Sequence, residues 1–232
     1  MTGYILLQAN SKRYSLDYKD IWYETKMTSD TTPYPLVASA STIYSTAYPA
    51  WRAFDGTKDV NGWSTANNNI TNQWLRIDFG AKTRVNKSTV VARAQASASI
   101  ESPKNFDFQG SNDGEIWITL KEVRDQTGWK ASEQRTYEFD KEGNFKYYQI
   151  FVHDFNGDTS PVISELIYGY QGLSIYELVP GPNQDFIDYG KAEFSNLNKA
   201  IVQSKYVLKD TNSGNQLLSA QIKRKPKSVE LI

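Results

Sequence analysis

Few side chains in this sequence could carry covalent or acid–base chemistry. Of 232 residues one is histidine, His153, and none is cysteine. Disulfides, thiol nucleophiles and cysteine-based zinc sites are therefore excluded, and a Ser–His–Asp triad would depend on a single imidazole. His153 has no evident nucleophile partner and reads as a strand-end or loop histidine. Asp154 and Asp158 could be drawn as the carboxylate pair of a glycosidase, but carboxylates so close together in a loop read more simply as turn or ion ligands. No glycine-rich phosphate loop is present. Asn69-Ile-Thr71 and Asn86-Lys-Ser88 match the glycosylation pattern and, with no secretory signal beside them, carry little weight. These residues point to a binding protein and not to an enzyme.

Charge and composition narrow the class further. Lys+Arg and Asp+Glu both total 26, so a strongly basic nucleic-acid binder is not expected. The basic stretch Lys223-Arg-Lys-Pro-Lys227 reads as a solvated terminal segment. Mean hydropathy is −0.58, and no apolar run approaches the roughly 18 residues of a membrane helix, so no membrane insertion is expected. The first residues lack a basic region followed by a long apolar stretch, so no secretory signal is read. Aromatics make up 13% of the chain, a composition that suits strands and sugar-stacking surfaces.

The elements that must position any site read as strands. In Gln73-Trp-Leu-Arg-Ile-Asp-Phe-Gly80, Leu75, Ile77 and Phe79 alternate with Trp74, Arg76 and Asp78, the period of a half-buried strand. Similar runs recur at 88–95, 104–110, 116–121, 135–139, 146–152 and 163–168. Asn112-Asp-Gly114 marks a hairpin between two of them. Many short strands with regular turns read as an all-β sandwich or barrel. Expected core residues are Leu75, Ile77, Phe79, Phe106, Phe108, Ile150 and Ile167, with Phe54 and Trp117 as anchors and Trp129 capping an edge. Three regions are expected: a small β appendage over 1–27, the main block over 28–170 and a small mixed segment over 171–232. The last opens with Pro180-Gly-Pro182, continues with a possible short helix over 186–202, and holds strand patterns at 206–208 and 217–218.

Taken in order, Ala53-Phe-Asp-Gly56, Trp63, Trp74-Leu-Arg-Ile-Asp-Phe-Gly80, Gly110-Ser-Asn-Asp-Gly-Glu-Ile-Trp117, Tyr147-Tyr-Gln-Ile150 and Ser164-Glu-Leu166 form a specific set. Over 28–170 the chain resembles the discoidin, or coagulation factor V/VIII type C, domain, whose bacterial relatives include the family 32 carbohydrate-binding modules. The resemblance implies an eight-stranded jelly-roll-like β-sandwich with ligand loops at one end. Animal members often close their ends with a disulfide. The lack of cysteine here favours a bacterial or phage source.

The resemblance also implies sites. The loop from Arg52 to Trp63 resembles the family's calcium loop. Asp55 would supply a carboxylate, Arg52 and Thr57 backbone carbonyls, Asn61 a side-chain oxygen and Glu165 the closing carboxylate, as a hard cation requires. The competing reading is a metal-free turn in which Asp55 accepts backbone N–H bonds. Sugar modules combine aromatic faces for C–H groups with Arg, Asn or Gln donors for hydroxyls. By position, Arg93 matches a sugar-binding arginine of family 32 modules, and Trp63 and Asn67 lie in the loop where these modules place further ligand contacts, Asn67 a polar one. Phe155 would be the stacking aromatic, beside Asn156, and Tyr44 and Tyr48 lie on the rim. Each residue has a structural alternative in packing or a turn. Glu101 stands where relatives often carry arginine, which would lose a ligand contact or reverse its sign.

The flanks are loosely similar to short β segments of tail-fibre and baseplate proteins from phages of Gram-positive bacteria, at Tyr4-Ile-Leu-Leu7, Tyr14-Ser-Leu16, Ile21-Trp22 and Asp185-Phe-Ile-Asp-Tyr-Gly190. The expectation is a non-catalytic, glycan-binding phage tail protein, carried on the virion and acting outside the cell. Its partners would be host surface glycan and other tail proteins, in a possible homo-oligomer. Two alternatives remain: a carbohydrate-binding module associated with a glycoside hydrolase, and a structural virion decoration protein that binds no sugar.

Overall fold

The computed structural model describes residues 7–9, 12–178, 207–209 and 216–219. Contacts divide the chain into a unit over Ile21–Tyr170 and a second made of Met1–Asp20 and Gln171–Ile232. In the second unit β1 (Leu7–Ala9) and the start of β2 (Lys12–Trp22) form an antiparallel hairpin, with Leu7 opposite Tyr14 and Ala9 opposite Lys12. Strands also form at both positions read from the C-terminal pattern. The order of the later elements is β3 (Val37–Ala40), a 3-10 turn (Ala50–Phe54), β4 (Trp63–Ser64), β5 (Thr71–Val91), α1 (Ala98–Glu101), β6 (Pro103–Ser111), β7 (Ile118–Val123), β8 (Gln134–Phe155), β9 (Val162–Ile163), β10 (Glu165–Leu178), β11 (Val207–Lys209) and β12 (Gln216–Ser219). β11 and β12 pair as a hairpin. The segments read from sequence at 180–206 and 223–227 lie outside the described residues.

The unit over 21–170 is an antiparallel β-sandwich, and two strands run through both of its layers. Residues 71–78 of β5 pair with 147–154 of β8 and with β3, while β8 also pairs with β6 and β6 with β7. Beyond register shifts at Asp78/Thr83 and Val85/Lys87, residues 87–91 of β5 pair with 134–138 of β8 on one side and with Glu165–Gly169 of β10 on the other. The sequence patterns suggest four short strands where the chain has two long ones. Bulges let each strand bend from one layer into the other without ending. Gly80, at φ +77°, occupies the bend in β5. At Gly143 in β8 a Cβ would fall 2.9 Å from the Tyr148 ring.

Alternation along β5 buries Leu75 and Ile77 completely and leaves Trp74 and Arg76 half-exposed on the outer face. Phe106 and Phe108 of β6 and Tyr148, Ile150 and Val152 of β8 fill the same interior. The aromatic rings there meet edge to face, as at Phe106–Phe108 (5.6 Å) and Phe79–Tyr148 (5.9 Å), the arrangement their quadrupoles favour. Phe54 is fully buried and Trp129 is 2% exposed, its indole N–H donating to the carbonyls of Pro103 and Gln126. Three core expectations change, the first at Phe79, which is only partly buried and packs against the core. In β10 it is Leu166 and Tyr168 that are buried, and Ile167 is only partly so. Trp117 is not a core anchor. It closes the loop after β6 from outside, against Arg76. That loop is pinned by Asp113, whose Oδ1 accepts from the Glu115 and Ile116 N–H groups. These bonds hold its carboxyl below the usual range.

Ile77→Ala should therefore destabilise the sandwich by about 2–5 kcal/mol, the cost of a core cavity. Urea unfolding measures it, and a loss under about 1 kcal/mol would place Ile77 outside a packed core.

Candidate functional site

The loops at one end of the sandwich are tied to one another by backbone bonds. The Tyr44 N–H donates to the Ser64 carbonyl, Asn68 to Thr159, Asn156 to Ser102 and Asp158 to Ile100. Segments 42–48, 64–68, 156–159 and 100–102 are thus linked in series. Arg93 follows the end of β5 and joins the two ends of this series, through Glu101 and Tyr48. Its Nε donates to the Val60 carbonyl at 2.6 Å, its Nη1 pairs with Glu101 Oε1 at 2.9 Å, and its Nη2 reaches the Tyr48 hydroxyl at 3.4 Å. The Arg93 side chain is 15% exposed and that of Glu101 7%. Glu101 Oε2 is buried without a hydrogen-bond partner. Tyr48 is half-buried and meets Tyr44 edge to face at 6.0 Å. The large apolar groups left exposed on these loops and the adjoining 59–62 turn are Ile43 (41%), Tyr44 (52%), Ile100 (45%) and Val60 (39%).

Of the residues read from sequence as glycan contacts, the structure brings Arg93 and Tyr48 into direct contact. Asn67 is exposed on a neighbouring loop, where its Oδ1 accepts from the Ser160 hydroxyl at 3.3 Å. Three others serve the scaffold. Trp63 is fully buried, with its indole N–H donating to the Thr42 carbonyl. Phe155 is 7% exposed and joins the core cluster. A ring enclosed in that way has no free face for a sugar, so the exposed aromatic at this end is Tyr44. Asn156 Nδ2 bridges the Ser102 and Gln126 carbonyls at 2.9 Å each, which joins two loops. Asp154 accepts from Asn105 and Asp158 from the Ser160 N–H. His153 pairs with Asp107 at 2.9 Å. These carboxylates serve as turn and strand anchors.

The loop after the 3-10 turn meets the start of β10. Gly56 N–H donates to Glu165 Oε1 at 3.1 Å, which joins segments far apart in sequence. Glu165 is 3% exposed, and its Oε2 has no hydrogen-bond partner. Burial pushes its carboxyl up to about 8, against the Gly56 N–H, with the Asp55 charge adding to the rise and Asp59 contributing a smaller push. Asp55 is engaged by its own loop. Its Oδ1 accepts from the Thr57 N–H and hydroxyl, and its Oδ2 lies 3.6 Å from Arg52 Nη1. Asn61 is engaged by Asp59, through its backbone N–H (2.7 Å) and its side-chain amide (3.1 Å). Asp59 was not among the residues singled out from sequence, and its signal was the Asp-x-Asn turn itself. Among the described residues no three His, Asp or Glu side chains gather as a metal cluster. The orphaned, buried oxygen of Glu165 close to Asp55 suits a hard cation. Asp55, Glu165 and the carbonyls of Arg52 and Thr57 would hold it, with water completing the shell.

The chain belongs to the F5/8 type C domain family, which it matches over residues 37–166. No curated protein matches it. Among solved structures it is similar to an F5/8 type C domain from Bacteroides fragilis, at 15% identity and a TM-score of 0.51, over 66% of this chain and 97% of that one. It is also similar to CpGH89CBM32-5 from Clostridium perfringens, solved in complex with GalNAc-beta-1,3-galactose, at 18% identity and a TM-score of 0.50, over 58% of this chain and 94% of that one. At these identities the likeness establishes the jelly-roll sandwich.

Because the folded carboxyl of Glu165 lies above its unfolded value near 4.5, the native state binds the extra proton. Stability should fall as pH rises from about 4.5 to about 8 and level off above. In chelator, Glu165→Gln should remove most of that slope in a series of thermal melts. An unchanged slope would show that Glu165 titrates normally.

Proposed function

We propose that the 21–170 unit is a non-catalytic glycan-binding module whose sugar site is the loop end around Arg93. The observation that carries this reading is the Arg93–Glu101 pair: a guanidinium held by the Val60 carbonyl and a carboxylate, set among the exposed groups of Tyr44, Val60 and Ile100. A guanidinium fork can donate to vicinal hydroxyls, while Tyr44 offers an apolar face to sugar C–H groups. Glu101 cancels the charge of Arg93, so the site suits a neutral sugar over an acidic one. The sugar complex of CpGH89CBM32-5 supports the same reading by likeness of fold.

The setting we propose is a phage tail or tail fibre that attaches to the host cell surface, as the likeness of the flanking segments suggests. A shallow single-sugar site gains about 10²–10⁴ in effective binding from many copies, which suits a virion. A module beside a glycoside hydrolase would use the same loop end. We also propose that calcium binds at Asp55 and Glu165 in a structural role.

Arg93→Ala and Tyr44→Ala should each lower retention on neutral glycans by about tenfold or more with the melting temperature little changed for Tyr44→Ala. Wild-type retention by both variants would remove the loop-end assignment. After chelation, millimolar calcium should raise the melting temperature of the wild type and not of Asp55→Ala. No calcium-dependent shift would remove the metal.

A further inference from the structure

A second arginine occupies a different environment, on the outer face of the larger layer. Arg76 of β5 lies between two indoles, its guanidinium carbon 4.3 Å from the Trp74 ring centroid and 4.4 Å from that of Trp117. The two rings hold the guanidinium in one plane and remove part of its water. Nε and Nη2 both donate to Gln149 Oε1, at 3.3 and 3.2 Å, and Gln149 Nε2 donates onward to Gln109 Oε1 at 2.7 Å. Its side-on edge is thus spent on a neutral amide whose orientation is set by the next strand. Among the described residues, the end-on edge, Nη1 with the second hydrogen of Nη2, has no acceptor.

The contrast with the other arginines is the central observation. Among the residues with described side chains, Arg52, Arg84, Arg93, Arg124 and Arg135 each pair with a carboxylate. Arg76 alone pairs with none. Burial lowers its pKa, with a smaller opposing contribution from Tyr147. Acidic side chains on the neighbouring segments are occupied. Asp78 is held by Lys146 at 3.1 Å and by the Gly80 N–H, and Asp113 by its own loop. Lys146 Nζ also donates to the Tyr147 hydroxyl at 3.0 Å, which places a second cation on this face. At Gly114 a side chain would begin 3.9 Å from Arg76 Nη1 and from the Tyr147 ring. The bare glycine leaves that approach open.

We propose that the outer face around Arg76, Trp74, Trp117 and Tyr147 is a second binding site, one that takes an oxyanion carried on a glycan. A carboxylate or phosphate oxygen pair would accept from the end-on edge of the guanidinium, which two indoles already hold in place. Its ligand class is the opposite of that at the loop end: the neutralised Arg93–Glu101 pair suits uncharged sugars, while the uncompensated Arg76 takes the acidic group. The carrier is an acidic sugar or a phosphate-linked wall polymer, since both present the same oxygen geometry.

The full chain is titrated with sodium D-glucuronate, with sodium phosphate and with D-glucose, at ionic strength matched by sodium chloride, and followed by tryptophan fluorescence. A saturable change with glucuronate or phosphate, absent with glucose and chloride, is expected. Response to glucuronate alone identifies an acidic sugar, and response to both a site open to phosphate-linked polymers. Arg76→Gln should weaken the response by about tenfold or more, as should Arg76→Lys, which keeps the charge and loses the fork. Arg124→Gln, on the same face but already paired, should not. Thermal melts of each variant check folding. No saturable response in the wild type, or an undiminished one in a folded Arg76→Gln, overturns the proposal.

Discussion

The structure depends on one constraint: β5 and β8 are neighbours in both layers of the sandwich. Each bends across the interior, so the same two strands supply Leu75, Ile77, Ile150 and Val152 to one layer's inner face and Val90 to the other's. The bend between layers needs Gly80 and Gly143, where a side chain would meet Pro35 or Tyr148. With both strands committed, their far ends are committed too. β5 ends at Val91 and hands the chain to Arg93, and β8 ends at Phe155 and hands it to Asn156. The loop end is where two core strands stop, and its side chains inherit the rigidity of the core.

That inheritance explains how an arginine on a loop can be held by several partners at once. Arg93 is oriented from three directions, by Val60, Glu101 and Tyr48. The three partners stand on three different loops. A preorganised donor loses little freedom on binding, which lets a small, shallow site act. Arg76 reaches a similar rigidity by another route, with stacking in place of ion pairing. The two arginines differ in residual charge because one has a carboxylate beside it and the other an amide. That difference separates their ligands.

Much of this was legible in the sequence, and the rest was hidden for definite reasons. Alternation at Leu75 and Ile77 is plain because that stretch has one wet face. It misleads at 166–168, where Leu166 and Tyr168 are buried and Ile167 is half-covered. Phe155 looked like a surface aromatic because it precedes a polar loop. The ladder between β6 and β8 shifts register at Pro103–Asn105 and Asn105–Phe106, so strand periodicity no longer reports which way its ring points. Glu101 could be recognised as a change of sign, but its pairing with Arg93 could not be read across a turn that no period governs. Trp117 carried no signal for Arg76, because their contact joins a strand to a loop far along the chain.

The central claim is that Arg93 sits at the sugar site. It is tested most directly by observing the arginine Nε–H resonances by NMR while the isotope-labelled full chain is titrated with neutral mono- and disaccharides, GalNAc-beta-1,3-galactose among them. The account predicts that the Arg93 Nε–H resonance and the amides of 43–48 and 100–102 move together and saturate, while the Arg76 resonance stays still. Movement confined to other parts of the chain, or saturation with Arg93 unmoved, would contradict it.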